Sequence, residues 1–201
     1  MGSREGLGKH ERTVFIGDIH FPFQDDDCLE SWFNFVSWFR PDHVFVIGDV
    51  VDFYSLSSFS KDPKRLLSLQ DELDQATFFF RRIRKALPKA RIVFREGNHE
   101  YRLTKALWSK PELSPLRALD IKSLLSLDQF KVEHVPYNGR LVHRGFHIEH
   151  GDLARKHSGY TAAGMLEKRQ VSGVSGHCHR LASHYRTDES GVKVWLENGC
   201  K

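Results

Sequence analysis

The chain has 201 residues, long enough for one domain with a substantial core. Its 40% hydrophobic and 28% charged content excludes a disordered chain, and no apolar run approaches the roughly 20 residues that cross a bilayer. A net charge of +4 is weak ground for a polyanionic partner, whereas twelve histidines call for an explanation.

In chain order, "RTVFIGDIH" (Arg12 to His20) is a short β-branched run ending in polar residues, the pattern of a buried strand. "DDDCLESWFNFVSWFRP" has acids at its start and a proline at its stop, and predicts a helix. "DHVFVIGDVVD" (Asp42 to Asp52) repeats the strand pattern. "PKRLLSLQDELDQATFFFRRIRKALP" sets Leu66, Leu69, Leu73, Ala76 and Phe80 at helical spacing. A third strand is expected in "ARIVFREGNHE" (Ala90 to Glu100). Tyr101 to Asn138 predict short helices broken at Pro111 and Pro115, a helical insert at about 101–136 placed to roof a site. "GRLVHRGFHIEH" reads as a hairpin, "SGVSGHCHR" as a further strand end, and "GVKVWLENG" as a late strand. Alternating strands and helices predict a single α/β domain. Cys28, Cys178 and Cys200 have no paired spacing, so a reducing, cytoplasmic setting is expected.

Polar residues just beyond buried strands collect on one rim of a sheet. Asp18 and His20 are two residues apart, as are His177 and His179; in extended backbone each pair would point one way, with Cys178 reversed. Asp49, Asn98 and His150 each add one donor. Two aspartates, an asparagine oxygen and four imidazoles are too many for one tetrahedral zinc ion, and suit two ions if Asp49 bridges them. A zinc-thiolate site at Cys178 would leave Asp18, Asp49 and Asn98 unexplained. Any one of these histidines alone reads as a core or surface imidazole. Five strand ends carrying such groups point to a shared purpose.

In this order, "GDIH", "GDVVD", "GNHE", "HG" and "GHCH" resemble the five signature blocks of the calcineurin-like metallophosphoesterase superfamily, spanning Gly17 to His179. The resemblance implies a four-layer α/β/β/α fold, a β-sandwich flanked by helices. It implies one metal on Asp18, His20, Asp49 and His179, and a second on Asp49, Asn98, His150 and His177. Manganese is the first expectation, with iron, zinc, nickel or cobalt as alternatives. Two such ions about 3.5–4 Å apart provide a bridging hydroxide for in-line attack on phosphorus. His99 is the candidate to serve the leaving oxygen, and Asp52 to hold its tautomer rather than merely cap a helix. Arg102 is balanced between gripping a substrate phosphate and pairing with Glu100 or a nearby acid. His143, His147 and His157 read as structural or surface, with His147 facing away from His150.

Phe53 after Asp52 and Phe21 after His20 depart from the Ser/Thr protein phosphatases. The chain looks more like the stand-alone phosphoesterases of bacteria and phages, acting in the cytoplasm of a bacterium or infected host. The expected activity is a phosphodiesterase or nuclease acting on nucleic acid or nucleotide diesters. A nucleotide or small-molecule phosphomonoesterase is the alternative, and a non-catalytic scaffold stands third. A DNA or RNA partner finds support in the seven basic residues of "RRIRKALPKARIVFR", although a solvated helix end explains them as well. No membrane partner is expected.

Overall fold

The structure, a computed structural model, describes residues 10–62, 64 and 68–199. Strands β1 (Thr13–Ile16), β2 (His43–Val46), β3 (Arg91–Arg95) and β4 (Val132–Val135) form a parallel sheet in that order. The first three read as unbroken apolar runs because both faces of the sheet are covered. Val14, Ile16, Val44, Val46, Ile92 and Phe94 pack with helices α1 (Asp26–Phe39) and α2 (Leu69–Ala86). Phe45 and Val93 alternate to the other face and meet Leu141, Ile148 and Val174 of a second sheet. That sheet comprises β5 (Val142–His143), β6 (Phe146–Glu149), β7 (Gly173–Ser175), β8 (Leu181–Asp188) and β9 (Gly191–Asn198), ordered β5-β6-β7-β9-β8. Its outer face is covered by α5 (Tyr160–Arg169), whose Ala162, Met165 and Leu166 surround Trp195. Three apolar interfaces thus stack four layers, α/β/β/α.

Local chemistry sets the helix starts. The Asp25 carboxylate accepts from Cys28 N at 2.9 Å to begin α1. Ser68 and Asp71 form a reciprocal capping box at the start of α2. Leu73, Ala76 and Phe80 are buried as the spacing predicts, while Leu66 lies outside the described residues. Phe80 packs on Phe94 with ring centroids 5.2 Å apart, and its truncation to Ala would cost about 3–5 kcal/mol.

The expected helical insert differs from the structure in two ways. Helix α3 (Glu100–Trp108) and the short α4 (Ile121–Leu124) are present, but Val132–Val135 forms the fourth strand. Its polar residues are spent in pairs, Glu133 with Arg91 and His134 with Glu96, so the segment lacks an apolar run. The insert does not roof the site either; it buries Leu103, Ile121 and Leu125 in the helical core. The basic run also has structural uses. Arg82 pairs with Glu30 over the Phe33 ring, and Arg84 donates to the carbonyls of Leu87, Ala90, Phe130 and Lys131. Arg91 pairs with Glu133 and Arg95 is buried, so four of the seven cations serve the fold. Among the described residues, no helix is long and apolar enough to cross a membrane.

Candidate metal centre

The loops after β1, β2, β3, β6 and β7 meet at one edge of the sandwich, bringing all seven predicted donors together. Their placement has a different cause from the extended backbone expected. Asp18, His20, Asp49, His177 and His179 all adopt left-handed backbone, with φ between 51° (Asp49) and 64° (His177). This conformation costs about 1–2 kcal/mol for a non-glycine residue and persists where neighbours fix it. Here Asp18 N donates to Gly48 O at 3.0 Å, His20 N to Asp49 O at 3.0 Å and His177 N to Asp18 Oδ1 at 2.9 Å. Cys178 is nevertheless reversed and buried, and burial pushes its thiol up from the ordinary value. Glycine is required at two close approaches: a Cβ at Gly97 would collide with the Asp49 carboxylate, and one at Gly176 with that of Asp18.

The donors fall into two sets. In the first, His20 Nε2 and His179 Nε2 are 3.2 Å apart, and His179 Nε2 is 3.4 Å from Asp18 Oδ1. In the second, His150 Nε2 lies 3.1 Å from Asp49 Oδ2 and 2.9 Å from Asn98 Oδ1. His177 Nδ1 reaches the same Asn98 oxygen at 2.8 Å. Asp49 Oδ2 is also 3.9 Å from His20 Nε2, so one carboxylate oxygen faces both sets.

The tautomers suit cations. His20 Nδ1 is 3.1 Å from Asp52 Oδ2, and His150 Nδ1 donates to Ile47 O at 2.9 Å, so each ring turns its Nε2 inward. In neutral rings those Nε2 lone pairs confront other acceptors, an arrangement that divalent ions relieve. A proton relieves it too. Burial opposes charge on His150, but the adjoining Asp49 carboxylate prevails and pushes its pKa up to about 9. Burial likewise opposes ionisation of Asp49, yet His150, His99 and His20 hold it well below the usual carboxylate range.

Beside the donors, His99 Nδ1 donates to Asp52 O at 2.8 Å, and His99 Nε2 lies 3.7 Å from Asp49 Oδ2. Asp52 is not a helix cap: the 3-10 turn Tyr54–Leu56 has no side-chain cap, and the Asp52 carboxylate lies between His20 and His99. Despite burial, these imidazoles keep Asp52 ionised far below its ordinary pKa. Arg102 pairs with a nearby acid, its Nη1 3.4 Å from Asp52 Oδ1, and that acid is not Glu100. Its guanidinium donates to Asp52 O at 2.8 Å and to His99 Nε2 at 3.0 Å. His147 lines a separate cavity and His157 packs edge-on against Tyr160.

Glu100 is the residue that sequence reasoning passed over. Fully buried, it accepts from the backbone N–H groups of Asp49 (2.9 Å), Val50 (2.8 Å), Val51 (3.0 Å) and Gly97 (2.7 Å). One carboxylate thereby ties the two loops that present Asp49 and Asn98. Its only sequence signal is an acid opening a helix, ordinarily read as a dipole partner. The site opens into a cavity of about 490 Å³, with Phe23 at its rim.

A four-layer sandwich with Asp, Asn and His donors at its strand ends defines the class of metal-dependent phosphoesterases. Residues 11–198 match the calcineurin-like phosphoesterase family, and the chain belongs to it. Gene 54 protein of Mycobacterium phage L5 is 25% identical over 182 residues, covering 85% of this chain and 69% of that protein. Gene 54 protein of Mycobacterium phage D29 is 26% identical over the same coverage.

Proposed function

We propose that this phosphoesterase hydrolyses diesters of nucleotides or nucleic acid, using two divalent ions, within a bacterium or phage-infected cell. The observation that carries this reading is the Asp49 oxygen facing both donor sets. Asp18, His20, Asp49 and His179 would hold one ion; Asp49, Asn98, His150 and His177 would hold the other. Nitrogen and oxygen donors without thiolate suit manganese, and also iron, zinc, nickel or cobalt. When bound, such ions supply Lewis-acid charge and bring the ionisation of water near neutral pH.

The remaining residues handle protons and substrate. The Asp52 carbonyl fixes the Nδ1–H tautomer of His99, leaving Nε2 to carry a proton to the leaving oxygen. Arg102 now donates to that Nε2, so protonating it frees the guanidinium to swing to a phosphoryl oxygen. Diesters are favoured because the described residues lining the cavity include no Lys or Arg, which leaves Arg102 as the side-chain cation named for the phosphoryl group. A monoester dianion needs more positive charge than a diester monoanion. Phe23, 41% exposed and edge-on to Tyr54 at 5.8 Å, offers an apolar surface on which a base can stack. Because four cations of the basic run serve the fold, nucleotide diesters and strand ends suit the site better than long duplexes.

The test compares turnover of bis(4-nitrophenyl) phosphate and 4-nitrophenyl phosphate with Mn²⁺, using Asp49→Asn to exclude contaminants. The diester is expected to be hydrolysed faster, and the variant to be inactive. Preference for the monoester would overturn the diester reading.

A further inference from the structure

A second convergence of donors lies at the opposite end of the sandwich. Glu11 precedes β1, His43 opens β2 and His143 ends β5. His43 opens β2 and Asp49 follows the other end of that strand, so the strand separates this convergence from the metal centre. We propose that Glu11, His43 and His143 bind a further divalent cation of zinc's class, which ties the start of the parallel sheet to the edge of the second sheet.

Three observations support the site. First, Nε2 of both rings addresses the same carboxylate oxygen: Glu11 Oε2 is 2.9 Å from His43 and 3.7 Å from His143. The shorter separation is a hydrogen bond, but the longer one is not. A hydrogen bond to His43 therefore does not by itself account for His143 turning its Nε2 to the same oxygen. Ligand atoms around tetrahedral zinc lie about 3.4 Å apart, midway between these separations, so an ion needs only small side-chain shifts.

Second, the carboxylate is oriented from behind. Arg144 Nη2 holds Glu11 Oε1 at 2.9 Å and leaves Oε2 for the ion, as outer partners do in metal sites. Third, both rings are set in the structure. Their side chains are only 15% and 17% exposed, their centroids are 4.5 Å apart, and His143 lies 5.3 Å from the Phe45 ring. Among the described residues nothing bonds His43 Nδ1, so that nitrogen can carry the proton while Nε2 ligates.

The test is independent of the phosphoesterase reading because it counts ions. Metal-stripped full-length protein is titrated with Zn²⁺ alone, desalted and analysed by mass spectrometry. Three ions per chain are expected in the wild type and two in His143→Gln, with Mn²⁺-supported turnover unchanged. Two ions in both would overturn the proposal. Should His143→Gln fail to fold, Glu11→Gln on the exposed carboxylate decides. One ion fewer than in the wild type supports the proposal; the same number in both overturns it.

Discussion

Replacing Glu100 by Gln tests whether a buried carboxylate organises the centre. The side chain keeps its length, but one oxygen becomes an NH₂ group facing two backbone N–H donors. Two hydrogen bonds to a charged acceptor are lost, each contributing ~1.5–3 kcal/mol. One effect opposes this loss. Burial and the neighbouring Asp49 charge raise the pKa of Glu100, so neutralising it relieves part of the strain. The balance is a loss of about 3 kcal/mol, a large share of the ~5–15 kcal/mol by which domains are stable. Urea denaturation of metal-free protein should show a lower midpoint at unchanged slope. Mn²⁺ affinity should fall as well, because the loop carrying Asp49 loses its tether. An unchanged midpoint, or a more stable variant, would refute the clamp.

Three further perturbations probe neighbouring parts. Gly97→Ala pushes a methyl against the Asp49 carboxylate and backbone; about 1–3 kcal/mol of overpacking and reduced metal content are expected, and wild-type metal content would contradict the close approach. His99→Ala should lower turnover by roughly 10²–10⁴ with metal content intact; loss of metal together with activity would show that His99 is not chiefly an acid. Glu72, almost fully buried in α2, is raised by burial from its ordinary 4.5 to about 7, opposed by N–H groups of Phe53 and Tyr54 and reinforced by Asp52. Between those values the folded state holds a proton that the unfolded chain has released. Stability therefore falls as pH rises through that window, by up to about 3 kcal/mol above pH 7. Glu72→Gln removes this titration, so its melting temperature relative to wild type should be higher at pH 8 than at pH 5. An equal difference at both values would sink the assignment.

The parallel strands were legible because burial on both faces writes them as apolar runs ending in polar clusters. β4 was not, since Glu133 and His134 satisfy themselves in pairs with Arg91 and Glu96 rather than by apolar burial. β8 is an edge strand of mostly exposed residues, LASHYRTD, with little apolar alternation to betray it. The seven candidate donors named from the sequence come together in the structure, yet the reason they converge was not legible. Left-handed backbone at Asp18, His20, Asp49 and His177 is held by hydrogen bonds between segments far apart in the chain. The role of Glu100 was hidden for the same reason, because its four partners become neighbours only after folding. Arg102 was expected at a phosphate, at Glu100 or at another nearby acid; it pairs with Asp52, an acid that only folding brings near, and donates to His99.

The central claim is that Asp49 joins two ions in one centre. Electron paramagnetic resonance of the Mn²⁺-loaded protein tests it directly. An exchange-coupled Mn²⁺ pair is predicted in the wild type, and its loss in Asp49→Asn. A wild-type spectrum containing only isolated Mn²⁺ ions would contradict the account.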